Sequence, residues 1–369
     1  MNVVVTGGGT AGHVFPALAT ATALRDLHGA SVVFVGAEDG QEARLVPDAG
    51  FRFIPVHVSA AQARFSVATL RAVALALRGS RSVRGLVRGS DVVVSIGGFA
   101  SGPAAIAARR TRRPLVLIEP NSVPGIVNRI AARWAAAVAT TFDGTASRLP
   151  AGVRVERTGN PIRTEIASVP ERRGRLRVEA CEAFGLEPDR VTVFVFGGSQ
   201  GALHLDQVVA EALPLLASRG DLQLLVSAGP GYDAEVARAV DRSTTLRVAV
   251  VPFIDRMDRA FALADLVVGR AGGSVAEVTA CGLPSILVPY PHATENHQEA
   301  NARELVSAGA ARMVLDRDLS SSALVNAILD LVDDHATRAA MGAAAQAWAR
   351  PDAAARIADL CAEVAEAAG

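Results

Sequence analysis

Lysine is absent from this sequence, and all 37 basic side chains are arginines. Aromatic residues make up only 4% of the 369 residues, whereas half of the chain is hydrophobic, chiefly through alanine, valine and leucine. This mixture is typical of valine-rich buried strands that alternate with alanine-rich helices, and it argues against a β-sandwich or a disordered chain. A chain of this length is expected to form two domains of roughly 150–200 residues each.

Cysteine is scarce as well, with three isolated residues at Cys181, Cys281 and Cys361. They provide neither a disulfide framework nor a Cys-x-x-Cys metal pair, so we expect the protein to reside in a reducing cytoplasm. No signal peptide precedes the first predicted strand, which begins at Val3. No apolar stretch reaches the ~18 residues that a membrane span requires. Any contact with a membrane is therefore expected to be peripheral.

The net charge of zero conceals an uneven distribution of charge along the chain. Residues 1–163 contain 19 arginines and 9 acidic residues, a net +10, and the remainder contains 18 arginines and 28 acidic residues, a net −10. A basic first half indicates contact with an anionic surface or a phosphorylated ligand, although drift between two domains would give the same split. Segment 64–88 carries six arginines among apolar residues, which is typical of an interfacial membrane contact or of a solvated helix.

Short β-branched runs recur along the chain with helical patterns between them. They predict strands at 3–5, 32–35, 53–56, 92–95, 115–118 and 137–140, and then at 191–196, 222–226, 249–251, 266–268 and 285–288. A charged stretch at 170–189 separates the two series. The pattern predicts an α/β protein with two Rossmann-like, doubly wound parallel-sheet domains, 1–162 and 163–350, facing a cleft that holds the ligand. The helix at 351–369 belongs to the second domain or returns to the first.

Three glycine-rich loops, at 6–13, 197–201 and 271–274, each follow a predicted strand and open a predicted helix. Glycine allows close approach of the backbone to a phosphate, and the free N–H groups of a helix start attract anions. The first loop also satisfies G-x-G-x-x-G, and Glu38 follows the second strand as in NAD enzymes. A dehydrogenase, however, requires no further loops of this kind in its other domain. We therefore expect a diphosphate compound to bind between the domains.

Polar residues follow the third loop. Ser274 and Glu277 have the spacing of a helix capping box, but a carboxylate beside a phosphate-binding loop is also suited to ribose hydroxyls. Segment 289–301 is rich in amides and imidazoles, which suit recognition of sugar hydroxyls. Within it, Glu295 and Asn296 are interpreted as solvated caps.

Eight segments, in collinear order along nearly the whole chain, carry a resemblance to a known family: 8–19, 97–103, 119–125, 159–163, 197–202, 253–254, 272–277 and 297–301. They resemble the MurG family of UDP-N-acetylglucosamine:undecaprenyl-diphospho-muramoyl-pentapeptide N-acetylglucosaminyltransferases of peptidoglycan synthesis. The resemblance implies that the chain has a GT-B fold. It also implies that the protein acts at the cytoplasmic face of the cell membrane. It implies UDP-N-acetylglucosamine, lipid I and an anionic membrane surface as partners, and no nucleic acid. No Asp-x-Asp pair follows any of the predicted strands, so no cofactor or protein-bound metal is expected, although Mg²⁺ can accompany the diphosphates.

The resemblance also assigns site residues. In the second domain the Ile254 backbone would contact uracil, Glu277 the ribose hydroxyls and the Ser199 loop the diphosphate. The donor-binding residues would be Thr10, Gly12, Asn121, Arg163, Ser199, Gln200, Gly201, Ile254, Gly273, Ser274, Glu277, His297 and Gln298. The acceptor-binding residues would be Gly8, Gly9, Thr10, Gly98 and Ser101.

The reaction would be a single displacement that inverts the anomeric carbon and requires a general base. His13 is the first candidate for that base and Glu119 is its rival. This chain departs from the family pattern at Ala11, where a third glycine is usual, and at Ile118 and Pro120, where histidine and glutamine are usual. A transferase acting on another lipid acceptor, or a UDP-sugar 2-epimerase of the same fold, therefore remains an alternative.

Overall fold

A computed structural model of the chain describes residues 1–9, 11–58, 67–198, 202–229, 231–241 and 243–368. The chain divides into two compact units. The first consists of Met1–Arg163 together with Arg350–Gly369, and the second is Thr164–Ala349.

The first unit is built on a seven-stranded sheet. Its strands are β1 (Asn2–Thr6), β2 (Ser31–Ala37), β3 (Arg52–Val56), β4 (Val92–Ser95), β5 (Leu115–Glu119), β6 (Ala137–Thr140) and β7 (Val155–Arg157). All neighbours pair in parallel, in the order β3-β2-β1-β4-β5-β6-β7. Its helices before the second unit are α1 (Ala11–His28), α2 (Glu42–Asp48), α3 (Val67–Ser82), α4 (Arg84–Arg88), α5 (Gly102–Thr111) and α6 (Ile126–Ala131).

Apolar side chains cover both faces of this sheet. Because successive residues of a strand point to opposite faces, Val3 and Val5 join one apolar cluster, with residues of α1, while Val4 joins the other, with residues of α5. The carboxyl ends of β1, β4 and β5 are thereby held next to one another, and each leads into a loop predicted to bind a ligand.

The second unit repeats this architecture. Its six parallel strands lie in the order β10-β9-β8-β11-β12-β13: β8 (Val191–Phe196), β9 (Leu222–Ser227), β10 (Arg247–Val251), β11 (Leu266–Gly269), β12 (Ser285–Leu287) and β13 (Ala311–Met313). Its helices are α7 (Thr164–Ala167), α8 (Val169–Phe184), α9 (Leu203–Ala212), α10 (Asp233–Arg238), α11 (Met257–Leu263), α12 (Val275–Ala280), α13 (His297–Ser307), α14 (Ser321–Val332) and α15 (His335–Trp348). On one face of β8, Phe194 and Phe196 stack with ring centroids 4.9 Å apart and meet Phe261 of α11.

The last helix, α16 (Ala353–Glu366), packs against α1 of the first unit. Its Ile357 and Cys361 are fully buried in the same apolar cluster as Leu24 of α1. The chain re-enters the first unit at Arg350, whose Cβ lies 2.5 Å from where a side chain on Gly159 would begin. Gly159 also has φ +90°, so both its backbone and its surroundings require glycine.

The predicted α/β class with two doubly wound parallel sheets is confirmed. Three elements differ from the sequence-based expectation. The charged stretch 170–189 is largely the helix α8, and the short edge strands β7 and β13 were not predicted.

Candidate active site

The first glycine-rich loop connects β1 to α1 and lies against the loop that follows β4. A side chain on Gly98 would begin 2.9 Å from the Gly8 carbonyl oxygen, and one on Gly7 would begin 3.0 Å from the Ile96 Cβ. Gly98 has φ +75°, a conformation that side chains disfavour. The two loops therefore touch through their backbones. Thr10, between them and α1, lies outside the described residues.

His13, the predicted base, is the third residue of α1 and is half-buried. Its ring atoms Cε1 and Nδ1 lie 3.9 Å from the point where a Gly98 side chain would begin. Gly12, beside it, is exposed. The structure thus brings the predicted base together with the predicted acceptor-binding residues Gly8 and Gly98.

Ser101, also predicted to bind the acceptor, is fully buried instead. Its hydroxyl donates a hydrogen bond of 2.7 Å to the Gly98 carbonyl oxygen. The Ser101 side chain thus holds the conformation of the loop that carries Gly98.

Glu119, the rival base, ends β5 and is 2% exposed. Its Oε1 accepts from the backbone N–H and the side-chain amide of Asn121, at 3.0 and 3.4 Å. Its Oε2 accepts from the Gly125 N–H at 3.0 Å and from Asn128 Nδ2 at 2.9 Å. Burial raises the pKa of Glu119 to about 7, against the lowering effect of these four hydrogen bonds. Both oxygens are thus occupied inside the loop that follows β5.

Asn128 is a residue that the sequence analysis missed. This α6 side chain is almost fully buried, donates to Ile118 O and to Glu119, and would contact any side chain placed on Gly97. Its Oδ1 has no hydrogen-bond partner among the described residues. A single asparagine on a short helix gives no motif, so only the structure reveals that it joins the loops after β4 and β5.

Ile118 and Pro120, where the chain leaves the family pattern, are both buried. Ile118 lies in the apolar cluster between the sheet and α1. Apolar residues are stable at these positions, and neither offers a polar group to a ligand.

Arg163 and Asn121, predicted to bind the donor, both lie in the first unit. The Arg163 guanidinium carbon is 4.8 Å from the ring centroid of Phe15, two residues after His13. This cation–π contact holds the charge beside the first turn of α1.

In the second unit, the loop after β8 begins with Gly197 and Gly198, the latter with φ +87°. The predicted diphosphate-binding residues Ser199, Gln200 and Gly201 lie outside the described residues. Directly after them, Asp206 of α9 is 2% exposed and accepts from the Ala202 N–H at 3.4 Å. Burial raises the pKa of Asp206 to about 7. This carboxyl belongs to none of the sequence motifs described above.

The loop after β11 leads into α12, whose first turn carries Glu277. Ser274 is the N-cap residue but its side chain makes no capping hydrogen bond, so the serine half of the predicted capping box is not formed. Ile254, after β10, is buried in the apolar cluster that contains Val278, the neighbour of Glu277. Ile254 therefore shares an apolar cluster with α12, the helix that carries Glu277.

Segment 289–301 folds onto this third loop. Asn301 donates 2.9 Å to the Ala271 carbonyl oxygen, and Gln298 Nε2 lies 3.7 Å from where a Gly272 side chain would begin. Gln298 Oε1 in turn accepts from the Tyr290 N–H at 2.9 Å. The structure thus brings the predicted donor-binding Gln298 to the predicted donor-binding loop.

His297 opens α13 and is half-buried. Its Nδ1 lies 2.8 Å from the Thr294 carbonyl oxygen and donates to it, and burial lowers the pKa of His297. A neutral imidazole in this tautomer presents Nε2 as an acceptor for a hydroxyl. The preceding Glu295 and Asn296 have φ of 52° and 54°, a conformation that is rare outside glycine and is concentrated at functional sites.

Arg270 is a further residue that the sequence analysis missed. It follows β11, is 8% exposed, and donates to the carbonyl oxygens of Val288 and Pro289 as well as to Asp316. It fixes the start of segment 289–301 beside the third loop. The sequence feature that could have identified Arg270 is its position between a predicted buried strand and a glycine-rich loop.

Within the described part of the chain, no three or more His, Cys, Asp and Glu side chains form a group that could hold a metal ion. None of the described helices is long and apolar enough to cross a membrane.

Comparison with known proteins identifies the family. Residues 3–140 match the glycosyltransferase family 28 N-terminal domain, and residues 192–357 match the glycosyltransferase family 28 C-terminal domain. A protein of Symbiobacterium thermophilum is 40% identical over 364 residues, covering 97% of this chain and 95% of its own length. A protein of Desulforamulus reducens is 37% identical over 362 residues, covering 96% of each.

Both relatives are named UDP-N-acetylglucosamine--N-acetylmuramyl-(pentapeptide) pyrophosphoryl-undecaprenol N-acetylglucosamine transferase. The crystal structure of MurG from Acinetobacter baumannii matches with a TM-score of 0.78 at 28% identity, covering 98% of this chain and 99% of that one. The chain therefore belongs to glycosyltransferase family 28 and, within it, to the MurG family of GT-B glycosyltransferases.

Proposed function

We propose that this enzyme transfers N-acetylglucosamine from UDP-N-acetylglucosamine to the 4-hydroxyl of the muramoyl sugar of lipid I, producing lipid II. The observation that carries the proposal is the collinear likeness, at 37–40% identity over 96–97% of the chain, to enzymes named for this reaction. The glycine-rich loops at the carboxyl ends of two parallel sheets supply the anion-binding backbone that two diphosphate substrates require.

The donor binds to the second unit. Glu277 accepts hydrogen bonds from the ribose hydroxyls, the Ile254 backbone contacts the uracil, and the loop after Gly198 holds the diphosphate. His297 and Gln298 contact the sugar, because a neutral imidazole and a primary amide match hydroxyl groups as acceptor and donor. Gly273 and Ser274 belong to the same loop.

The acceptor binds to the first unit, with its diphosphate at the start of α1. The 4-hydroxyl oxygen attacks the anomeric carbon on the face opposite the departing UDP, so one C–O bond forms as the other breaks and α becomes β. His13 receives the hydroxyl proton. The backbone N–H groups of the loops and the Arg163 guanidinium stabilise the negative charge that develops on UDP. No protein-bound metal is required in this scheme.

Glu119 serves as a positioning residue in this scheme. Three of its four hydrogen bonds come from Asn121 and Gly125 and the fourth from Asn128 of α6. With both oxygens occupied and a side chain only 2% exposed, Glu119 is less accessible to a substrate hydroxyl than the half-buried His13. The loop it holds carries Asn121, which then contacts the donor.

The membrane contact lies on the first unit, on the layer formed by α3, α4, α5 and α6, which contact one another through α5. Val73 of α3 and Ile126 and Ile130 of α6 are 45–52% exposed there. Exposed arginines lie on α3, α4 and α5 or shortly after α6: Arg78, Arg81, Arg84, Arg88, Arg109, Arg110 and Arg133. Apolar side chains bordered by cations are suited to an anionic lipid surface, which is where the enzyme meets its lipid-linked acceptor. Arg64 and Phe65, from the same predicted segment, lie outside the described residues.

The test is release of UDP by the purified chain with UDP-N-acetylglucosamine and a lipid I analogue. Turnover is expected with lipid I, and not with diacylglycerol or with the donor alone. Turnover with diacylglycerol would instead identify a glycolipid transferase, and conversion of the donor without acceptor would identify an epimerase.

A further inference from the structure

A buried carboxylate that belongs to none of the sequence motifs is bound to the first glycine-rich loop. Glu42, the first residue of α2, is 1% exposed. Its Oε2 accepts from the Gly9 N–H at 3.0 Å, and its Oε1 accepts from the Ala37 N–H at 2.9 Å. Among the described residues it forms no ion pair, and its hydrogen-bond donors there are these two backbone groups. A buried carboxylate is stable only where such donors are supplied.

Three glycines from separate segments leave the space that this carboxylate fills. Side chains placed on Gly8 of the loop or on Gly40 of the turn before α2 would overlap the Glu42 carboxylate. One placed on Gly36 of β2 would begin 2.7 Å from the Glu42 Cγ. Glycine at these three positions therefore leaves the room that the Glu42 side chain occupies.

We propose that Glu42 is a positioning residue that fixes the first glycine-rich loop for binding the acceptor diphosphate. Because Glu42 takes the Gly9 N–H, this group does not bind phosphate, and the anion is held by the N–H groups at the start of α1. Fixing Gly9 also fixes the Gly8 carbonyl against Gly98, where an added side chain would begin 3.9 Å from the His13 ring. This role rests on the proposed function, in which the first unit binds lipid I.

Glu42→Gln is the decisive variant. Glutamine has the same shape but one accepting oxygen, so either Gly9 or Ala37 loses its partner and faces an amide N–H instead. We expect the KM for a lipid I analogue to rise about tenfold or more, the size of effect of losing one hydrogen bond to a charged group. The KM for UDP-N-acetylglucosamine, which binds to the second unit, should change less than twofold.

A negative charge beside a diphosphate could instead repel it, and the same variant separates the two effects. If repulsion dominates, Glu42→Gln lowers the acceptor KM, which overturns the proposal. A lower melting temperature with both KM values unchanged also overturns it, because Glu42 would then only stabilise the fold.

Asp48→Asn is the matched control, since it removes a carboxylate from the exposed end of the same helix. It should leave both KM values unchanged. If Glu42→Gln does not fold, Gly40→Ala provides the same test, because its new methyl group would overlap the Glu42 carboxylate and displace it. We expect the same selective rise in acceptor KM, and equal changes in both KM values would contradict the proposal.

The unmutated chain is assayed alongside these variants. Absence of turnover there would refute the proposed function. In that case binding of the lipid I analogue, measured by calorimetry, decides the role of Glu42: the proposal requires weaker binding to Glu42→Gln than to the unmutated chain, and equal or tighter binding overturns it.

Discussion

At the scale of single residues, two candidates for the general base differ in their access to a substrate. The His13 ring lies at the surface of two touching glycine-rich loops, whereas both carboxylate oxygens of Glu119 are bound inside their own loop. The position of an acid at the end of a strand does not distinguish these situations in the sequence. The donors that surround Glu119 come from residues two to nine positions away, in an irregular segment and in α6, and form no sequence motif.

His13→Ala should reduce kcat by about 10²–10⁴-fold, the usual contribution of a general base, with little change in the donor KM. Steady-state kinetics with a saturating lipid I analogue provide the measurement. His28→Ala, at the other end of the same helix, removes an exposed ion pair with Asp359 and should leave kcat unchanged. A kcat in His13→Ala within threefold of the unmutated value would rule out His13 as the base.

Asp206 should make the stability of the second unit depend on pH. Burial raises the pKa of Asp206 to about 7, so its neutral form is favoured in the folded state, and its contribution to stability is lost as pH rises from about 4 through 7. Asp206→Asn should therefore be more stable than the unmutated chain at pH 8, by about 2 kcal/mol, with a smaller difference at pH 5. Urea unfolding at both pH values measures this difference.

Asp221→Asn is expected to behave in the opposite way, because a hydrogen bond from Arg219 holds the pKa of Asp221 below its ordinary value. It should lose stability at neutral pH. A stability difference between Asp206→Asn and the unmutated chain that does not vary with pH would contradict the assigned cause.

At the scale of elements, the loops at the strand ends determine the site. Gly98→Ala would place a methyl group 2.9 Å from the Gly8 carbonyl oxygen at φ +75°. We expect the loops to separate, with activity reduced at least tenfold and a lower melting temperature, since strained positions of this kind cost about 1–3 kcal/mol.

Gly89→Ala, in the same unit, is the control. Gly89 has φ −84°, and its new methyl group would meet its nearest neighbours at ordinary contact distance, 3.6 Å. Activity should be unchanged there. Equal losses in both variants would show that the loop contact is not the cause.

Much of the element order could be predicted from the sequence, because continuous apolar runs such as Val191–Phe196 have few alternatives to a buried strand. The edge strands β7 and β13, with three residues each, are too short to show a period. The helix α8 was not predicted because its sequence is highly charged. Arg173 and Arg177 form ion pairs with Asp265, at 3.4 and 3.1 Å, and no local pattern predicts these tertiary contacts. Likewise, the contacts of Glu42 with Gly9 and of Arg270 with Val288 and Pro289 join residues that are distant in the sequence, so no local pattern predicts them.

At the scale of the whole molecule, the basic first half of the chain coincides with a unit whose outer helices combine arginines with exposed apolar residues. Replacing Ile126 and Ile130 together by glutamate should weaken binding to vesicles containing phosphatidylglycerol at least tenfold, because apolar burial is lost and charge repulsion is added. Co-sedimentation at two salt concentrations measures this binding.

Leu215→Glu, an exposed apolar residue of the second unit, is the control for this surface. It should leave vesicle binding unchanged. Unaltered binding of the Ile126 and Ile130 variant would place the membrane contact elsewhere on the chain.

The return of α16 to the first unit is also a property of the whole molecule. The sequence allowed this helix to belong to either unit, and its Cys361 and Ile357 are buried beside Leu24, which is more than 300 residues earlier in the chain. The unit on which α16 packs is therefore decided by long-range contacts of its apolar face, which the local sequence of the helix does not reveal.

Transfer of N-acetylglucosamine to a lipid-linked muramoyl acceptor should proceed with inversion. The product formed from UDP-N-acetylglucosamine and a lipid I analogue can be characterised by mass spectrometry and by the NMR coupling of its new anomeric proton. We predict a gain of one N-acetylglucosamine, joined by a β linkage to the 4-hydroxyl of the muramoyl sugar. An α linkage, attachment elsewhere, or an unmodified acceptor in the presence of folded protein would contradict inverting transfer to this acceptor.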